Sequence, residues 1–378
     1  MLETAVMLFG DRNMPMEMFA DQVRGMEASG VIDHLEMADQ LANFMPPSLW
    51  NKENTPLAAM LPDADSMPDA FAMGAYAMAI APKLKLTIST DSVRHAPAEL
   101  MQTMLTLQNM AHGNAHFHIG SGEAKQITPY GHKRSGGLGR AEDLFRLVHA
   151  FYDSDGPIDF QGNHWTMKRA YLGSAKPPKR PQIWGLGGGP KLVDLATSYC
   201  DGLTVAAPNV WPRPEDAAAR IGEVREQLEK KGRDPETFRF GMWAMVLLHD
   251  DQDYLQRALD NPLVRWMAAT YGRISPQDWR KEGIEPATPD GWAYYSKLLP
   301  HDTSAEFADD VVAKSTHEMA EKTFFLGTPG QVAEQLRPYA EAGVSWICPI
   351  DYLSVLNPPE EGAETFQRTI ELCAALKA

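Results

Sequence analysis

Residues 84–123 read LKLTISTDSVRHAPAELMQTMLTLQNMAHGNAHFHIGSGE, and that order contains three elements. Leu84 to Thr90 is a short run of apolar and β-branched residues, the mark of a buried strand. Pro97 opens a helix, because its fixed φ and missing N–H suit the first helical turn, and the helix continues through Met110. Ala115 to Ile119 is again a strand, closed by Gly120-Ser121-Gly122.

The same alternation extends in both directions. Upstream, Thr4 to Phe9 is a strand. Met16 to Ser29 is a helix with Phe19, Val23 and Met26 on one stripe and Gly30 as its stop. His34 to Met37 is a strand and Met67 to Ile80 a helix. Downstream, Arg140 to Tyr152 is a helix, Gln182 to Leu186 a strand ending in glycines, and Pro190 to Tyr199 a helix. Leu203 to Ala206 and Phe238 to Leu248 are strands on either side of a helix from Pro214 to Lys231. Pro329 to Ala342, Ser345 to Ile350 and Gly362 to Leu376 are the last helix, strand and helix. About eight strand–helix pairs is the count of an α/β (β/α)8 TIM barrel. A doubly wound open sheet uses the same units, but the count and the even spread favour one barrel domain over 1–378. Two insertions interrupt it. Residues 158–172 read as a hairpin, with DFQGNHW and MKRAYL flanking a turn. Residues 250–322 are helical and separate the seventh strand from its helix, where a long excursion builds an active-site wall or lid.

Composition narrows the function. With 35 Lys+Arg against 50 Asp+Glu the formal charge is −15, which speaks against a general nucleic-acid binder and against docking on anionic lipid. The apolar N-terminus is short and carries Glu3, so no secretory leader is expected, and Ala70 to Pro82 is too short to span a bilayer. Three cysteines, at 200, 348 and 373, have no paired spacing. That fits reduced thiols in a cytoplasm and excludes a disulfide scaffold or a cysteine zinc site.

In a barrel, chemistry gathers where strands end. After the second strand stand Asp39 and Gln40. After the third come Thr90, Asp91, Arg94 and His95, and after the fourth Gly122 and Glu123. After the fifth come Gly187, Gly188, Gly189 and Pro190. Three glycines before a helix allow close backbone approach and free N–H groups, which suits a cofactor phosphate; a tight turn is the plainer reading. Glu123 behind two small residues suits a carboxylate facing a bound ring, and a solvated loop acid is the alternative. His116 and His118 share one strand face. They read as structural or pocket-lining, and a metal-dependent barrel hydrolase is the rival. Trp266, Met267, Tyr271, Trp279, Trp292, Tyr294 and Tyr295 form an aromatic-rich group. Most of it is expected in the insertion's own core, the rest as an apolar wall over a substrate.

These strand ends resemble the luciferase-like flavin/deazaflavin superfamily. The resemblance lies in Asp39-Gln40, Ser89-Thr90-Asp91 with Arg94 and Pro97, Gly120-Ser121-Gly122-Glu123 with Pro129-Tyr130-Gly131, Gly188-Gly189-Pro190, Cys200-Asp201-Gly202 and Leu326-Gly327-Thr328-Pro329 with Gly343-Val344. It covers nearly the whole chain, and the coenzyme F420-dependent branch of phthiodiolone ketoreductase type is the most similar. The resemblance implies a barrel holding coenzyme F420, or alternatively FMN, in its mouth, a small-molecule substrate and a homodimer. It implies a non-proline cis peptide near Ser89-Thr90. It gives Asp39, Ser89, Thr90, Asp91, Gly122, Gln126, Gly187, Gly188 and Gly189 cofactor contacts, and no metal. Many relatives carry a histidine where Gln40 stands, and often Asn where Gln126 stands. Gln40 cannot titrate, so either the proton role passes to Glu123, its acidity weakened by an apolar mouth, or to His95, or the chemistry needs no histidine at that position.

Overall fold

The computed structural model describes Leu2 to Ala378. Eight parallel strands close on themselves: β1 (Glu3–Met7), β2 (His34–Ala38), β3 (Lys85–Asp91), β4 (Ala115–Gly120), β5 (Gln182–Leu186), β6 (Gly202–Ala207), β7 (Arg239–Leu248) and β8 (Trp346–Asp351). Each pairs with the next, and β8 returns to β1 through Glu3 opposite Trp346. Eight helices cover the outside, one after each strand: α1 (Met16–Ser29), α2 (Ala70–Ile80), α3 (Pro97–Met110), α4 (Gly137–Asp153), α5 (Pro190–Tyr199), α6 (Pro214–Lys230), α7 (Pro329–Glu341) and α8 (Gly362–Lys377). This is the (β/α)8 TIM barrel the alternation predicts.

Local chemistry explains the boundaries. On α1 the residues Phe19, Val23 and Met26 are buried at helical spacing, each contributing about 1.5–3 kcal/mol relative to exposure, and Gly30 ends the helix in the left-handed region. An aspartate at Val23, which is fully buried, would break that contact. The strands read as unbroken apolar runs because helices cover their outer faces and the barrel core their inner ones.

The barrel interior is more polar than such runs suggest. His34, His116 and His118 point inward with Trp184 and Trp346. His118 stacks on Trp184 at 4.9 Å and meets Trp346 edge-on at 5.0 Å. His116 lies 4.7 Å from His34. Burial pushes both His116 and His118 well below the ordinary imidazole range. Of the two sequence readings for this pair, the geometry is that of aromatic packing inside the barrel. Among the described residues no group of three or more His, Cys, Asp or Glu is arranged to hold a metal.

Three differences from the sequence reading stand out. The cis peptide expected near Ser89-Thr90 is absent: among the described residues the cis bond is Ala207–Pro208. The β3 ladder runs on without a bulge, Ser89 opposite His118, Thr90 opposite Ile119 and Asp91 opposite Gly120. A ninth short strand, Phe325–Gly327, pairs with Val246 to Leu248 at the end of β7; three residues are too few to leave a periodic signal. The hairpin forms where expected, Ile158–Gln161 against Thr166–Ala170. The long excursion packs Leu255, Leu263, Val264, Trp266, Trp279 and Met319 into a core that it shares with Met45, Leu49, Met245 and Leu353. Trp266 ties it to the barrel, its Nε1 donating to the Phe44 carbonyl at 2.9 Å. No helix among the described residues is long and apolar enough to cross a membrane.

Candidate active site

The strand ends open into a cleft that continues into a groove between α1 and α8, about 2940 Å³ in all. Its lining includes Asp39, Gln40, Ser89, Thr90, Asp91, Gly122, Glu123, Gln126, Gly187, Gly188 and Gly189. Strands two to five thus bring together the residues singled out in the sequence, with one exception. His95 is not on the cleft wall. It is tied to Asp39, its Nε2 donating to Asp39 Oδ2 at 2.7 Å, with its ring edge-on to Phe71 at 5.4 Å.

Asp39 is a hub. Its Oδ2 accepts from Thr90 Oγ1 at 2.6 Å and from Arg94 Nη2 at 2.8 Å as well as meeting His95. Arg94 also donates from Nε to Asp91 Oδ2 at 2.5 Å, and its side chain is 6% exposed. Burial works against the charge on Asp39, but the His95 hydrogen bond and the Arg94 guanidinium outweigh it and hold the carboxyl below its ordinary value. The side chains of Thr90 and Asp91 are thereby taken up in building the wall. Gln126 is similarly engaged: its Oε1 accepts from the Leu41 and Ala42 N–H groups at 2.6 and 3.2 Å, and its Nε2 donates to the Ala42 carbonyl at 2.8 Å. Its amide holds the loop after β2 in place, which leaves Gln40 facing the cleft.

The triple-glycine turn joins β5 to α5. Gly187 has φ +130°, a conformation open to glycine. A Cβ on Gly188 would lie 2.3 Å from Val210 Cγ1, so Val210 closes over the turn from behind. A Cβ on Gly189 would meet nothing within 4 Å. No side chain caps α5, so its first N–H groups remain available to an anion.

Glu123 does not sit in a purely apolar mouth, as the sequence suggested. Lys125 Nζ lies 3.2 Å from Glu123 Oε2. The lysine is fully buried, donates to the Ala42 carbonyl at 2.9 Å and lies over the Phe44 ring at 4.0 Å. Burial pulls its pKa down and Glu123 opposes that pull. From the excursion, Tyr271 meets Phe44 edge-on at 5.1 Å and Tyr294 at 4.8 Å. Phe44, Met267, Tyr271, Tyr294 and Tyr295 line the cleft, whereas Trp266 and Trp279 are buried in the excursion's core. The sequence reading passed over Lys125, because a lysine on a short turn reads as solvated. Its burial comes from Ala42 and Phe44, more than eighty positions away in the chain for the first of them.

Comparison with known proteins agrees with this architecture. A family model described as luciferase-like monooxygenase matches residues 57–345. A phthiodiolone/phenolphthiodiolone dimycocerosates ketoreductase of Mycobacterium kansasii is 27% identical over 333 residues, covering 86% of this chain and 88% of the relative. Its Mycobacterium tuberculosis (strain ATCC 25618 / H37Rv) counterpart is 25% identical over 348 residues, covering 90% and 87%. Among solved structures, an F420-dependent secondary alcohol dehydrogenase in complex with an F420-acetone adduct superposes with a TM-score of 0.71 at 18% identity, covering 100% of this chain and 99% of that one. The long-chain alkane monooxygenase LadA superposes at 0.68 and 13% identity, covering 100% and 91%. The eight-stranded barrel, its cleft at the strand ends and a family match over most of its length together establish that the chain belongs to the luciferase-like monooxygenase family.

Proposed function

We propose that this protein is an F420-dependent oxidoreductase that moves a hydride between the deazaflavin and an apolar organic substrate bearing a carbonyl, an alcohol or an activated double bond. One observation carries the reading: an uncapped helix start behind three glycines opens into the same cleft as Asp39, Gln40 and Glu123. The residues fit such a group. The α5 N–H groups and Gly187 to Gly189 would hold its phosphate, Gly122 (φ +88°) and the β3 end would back its ring, and Asp39 would face the ring or its hydroxyl. Bound there, a deazaflavin supplies or accepts a hydride.

The chain's own part is to bind, orient and manage the proton. Gln40 faces the cleft and can donate or accept a hydrogen bond without titrating. Glu123, paired with Lys125, is an acid on the wall outside the Asp39–Arg94–Asp91 network and the proton's route to the substrate side. His95 acts through Asp39, fixing its direction. An apolar wall of Trp243, Met245 and Met267 favours a bulky hydrophobic substrate. The reading draws support from the ketoreductase and alcohol dehydrogenase names of the relatives. A homodimer in the cytoplasm accompanies it.

The second reading is an FMN-dependent monooxygenase, which the alkane monooxygenase neighbour favours. Titrating the purified protein with F420 and with FMN, followed by absorbance and fluorescence quenching, separates the two. Tight F420 binding with negligible FMN binding is the expected result, and the opposite preference overturns the proposal.

A further inference from the structure

Beyond the barrel's strand ends, the cleft has a wall that comes from the excursion after β7, and that wall is not uniformly apolar. Tyr271, from the helix Pro262–Tyr271, and Tyr294, from the turn of helix Tyr294–Lys297, bring two phenols to a surface that Phe44, Met245 and Met267 share with Glu123, Arg134 and Tyr295. Both rings are fixed. Tyr271 packs on Phe44, the two tyrosine rings lie 4.8 Å apart, and the Tyr271 carbonyl accepts from Asn209 Nδ2. Among the described residues no hydrogen bond occupies either hydroxyl, and neither oxygen is among the buried unpartnered atoms. They are therefore donors open to the cleft.

We propose that Tyr271 and Tyr294 bind the oxygen of the substrate, so that the excursion selects a carbonyl or hydroxyl group flanked by apolar surface. The proposal rests on the hydride-transfer reading for its chemistry and adds the residues that would recognise the substrate's oxygen. The surroundings decide which oxygen fits. Burial and the Glu123 carboxylate push both phenols above their ordinary range, Tyr271 and Tyr295 adding to the effect at Tyr294. Each stays protonated and can donate. The same carboxylate repels an anion, whereas Arg134, over the Tyr295 ring at 4.8 Å on the same wall, attracts one, so it is the two phenols that distinguish a carbonyl from an alkyl group. Two neighbouring donors on one wall would also suit the charge that develops on that oxygen during reduction. Lys125, which pairs with Glu123 at 3.2 Å but is itself fully buried, cannot reach into the cleft to do this.

The test uses two probes of one shape, acetophenone and ethylbenzene, which differ in a carbonyl. Their affinities for the full-length protein and for Tyr271→Phe, Tyr294→Phe and the double variant are measured by titration calorimetry. The expected result is a preference of about tenfold for acetophenone, the worth of one or two neutral hydrogen bonds, reduced in each single variant and abolished in the double. The melting temperature, unchanged in these near-isosteric variants, serves as the fold control. Equal or absent binding of the two probes by the unaltered protein, or a preference that survives in the double variant, overturns the proposal. An F420 titration on the same samples keeps the two readings apart. A tyrosine-dependent preference without F420 binding supports the tyrosines and removes the cofactor reading; F420 binding with a preference indifferent to the tyrosines does the reverse.

Discussion

Lys125 Nζ stands 3.2 Å from Glu123 Oε2, with the lysine fully buried and the carboxylate half-exposed on the cleft wall. The lysine's remaining polar contact is one carbonyl, that of Ala42. Removing the acid leaves a buried ammonium without its counter-charge. Glu123→Gln is therefore expected to cost about 2 kcal/mol of stability, and Lys125→Met added to it to recover much of the loss. Urea denaturation of the two single variants and the double completes the cycle. Additive losses would mean that the pair is not coupled.

Asp39 holds Thr90, Arg94 and His95 through one oxygen. Its folded pKa lies below the ordinary value, so the stability it contributes is present above about pH 4 and is lost as pH falls through the folded value. Asp39→Asn should be less stable than the parent at pH 6, by about 1–2 kcal/mol, with the gap closing toward pH 3. Melting curves across that range check the sign. A gap that widens in acid contradicts it.

Gly188 has no room for a side chain, since Val210 Cγ1 would lie 2.3 Å from the added Cβ. Gly188→Ala is expected to cost about 1–3 kcal/mol through overpacking and to weaken F420 binding about tenfold by shifting the turn. Gly188→Ala with Val210→Ala should regain most of both. If stability returns and binding does not, the backbone at 188 itself approaches the cofactor.

Glu36 is fully buried in the barrel, and burial pushes its carboxyl up to about 8. Neither of its oxygens has a hydrogen-bond partner among the described residues. A folded pKa raised in this way means the associated stability is complete below about pH 4.5 and is lost as pH rises toward 8. Glu36→Gln should match the parent near pH 4.5 and melt about 5 °C higher at pH 8. Differential scanning calorimetry at the two pH values reads this directly, and an equal shift at both would assign the effect to packing.

Much of the barrel is legible in the sequence because its elements are punctuated. The helices Met16–Ser29, Pro97–Met110 and Pro190–Tyr199 have the predicted bounds, two of them opened by proline and the first closed by Gly30. The strands are apolar runs long enough to see, whereas Phe325–Gly327 is not. Side-chain partnerships are another matter. Position along the chain puts Asp39, Thr90 and Glu123 at strand ends, and the structure brings them into one cleft. It could not reveal that His95 is tied to Asp39, that Gln126 holds the loop at Leu41 and Ala42, or that Lys125 is buried. Each depends on contacts between segments distant in sequence. The aromatic group of the excursion divides for the same reason. Trp266 and Trp279 go inward, and Tyr271 and Tyr294 face the cleft, which no local spacing distinguishes.

The ten-residue β7 pairs with β6 as far as Ala244 and with β8 as far as Val246, and Phe325–Gly327 then lies against its last three residues. The excursion therefore departs from and returns to a single rod of the cage. Its length and content can change while the hoop of eight remains closed, as a cartridge is exchanged in a fixed housing. Retooling the guest-facing panel also involves Met45, Leu49 and Leu353, which share its core, so grafting residues 249–324 into a relative's barrel should carry its taste for guests only when those neighbours travel with it.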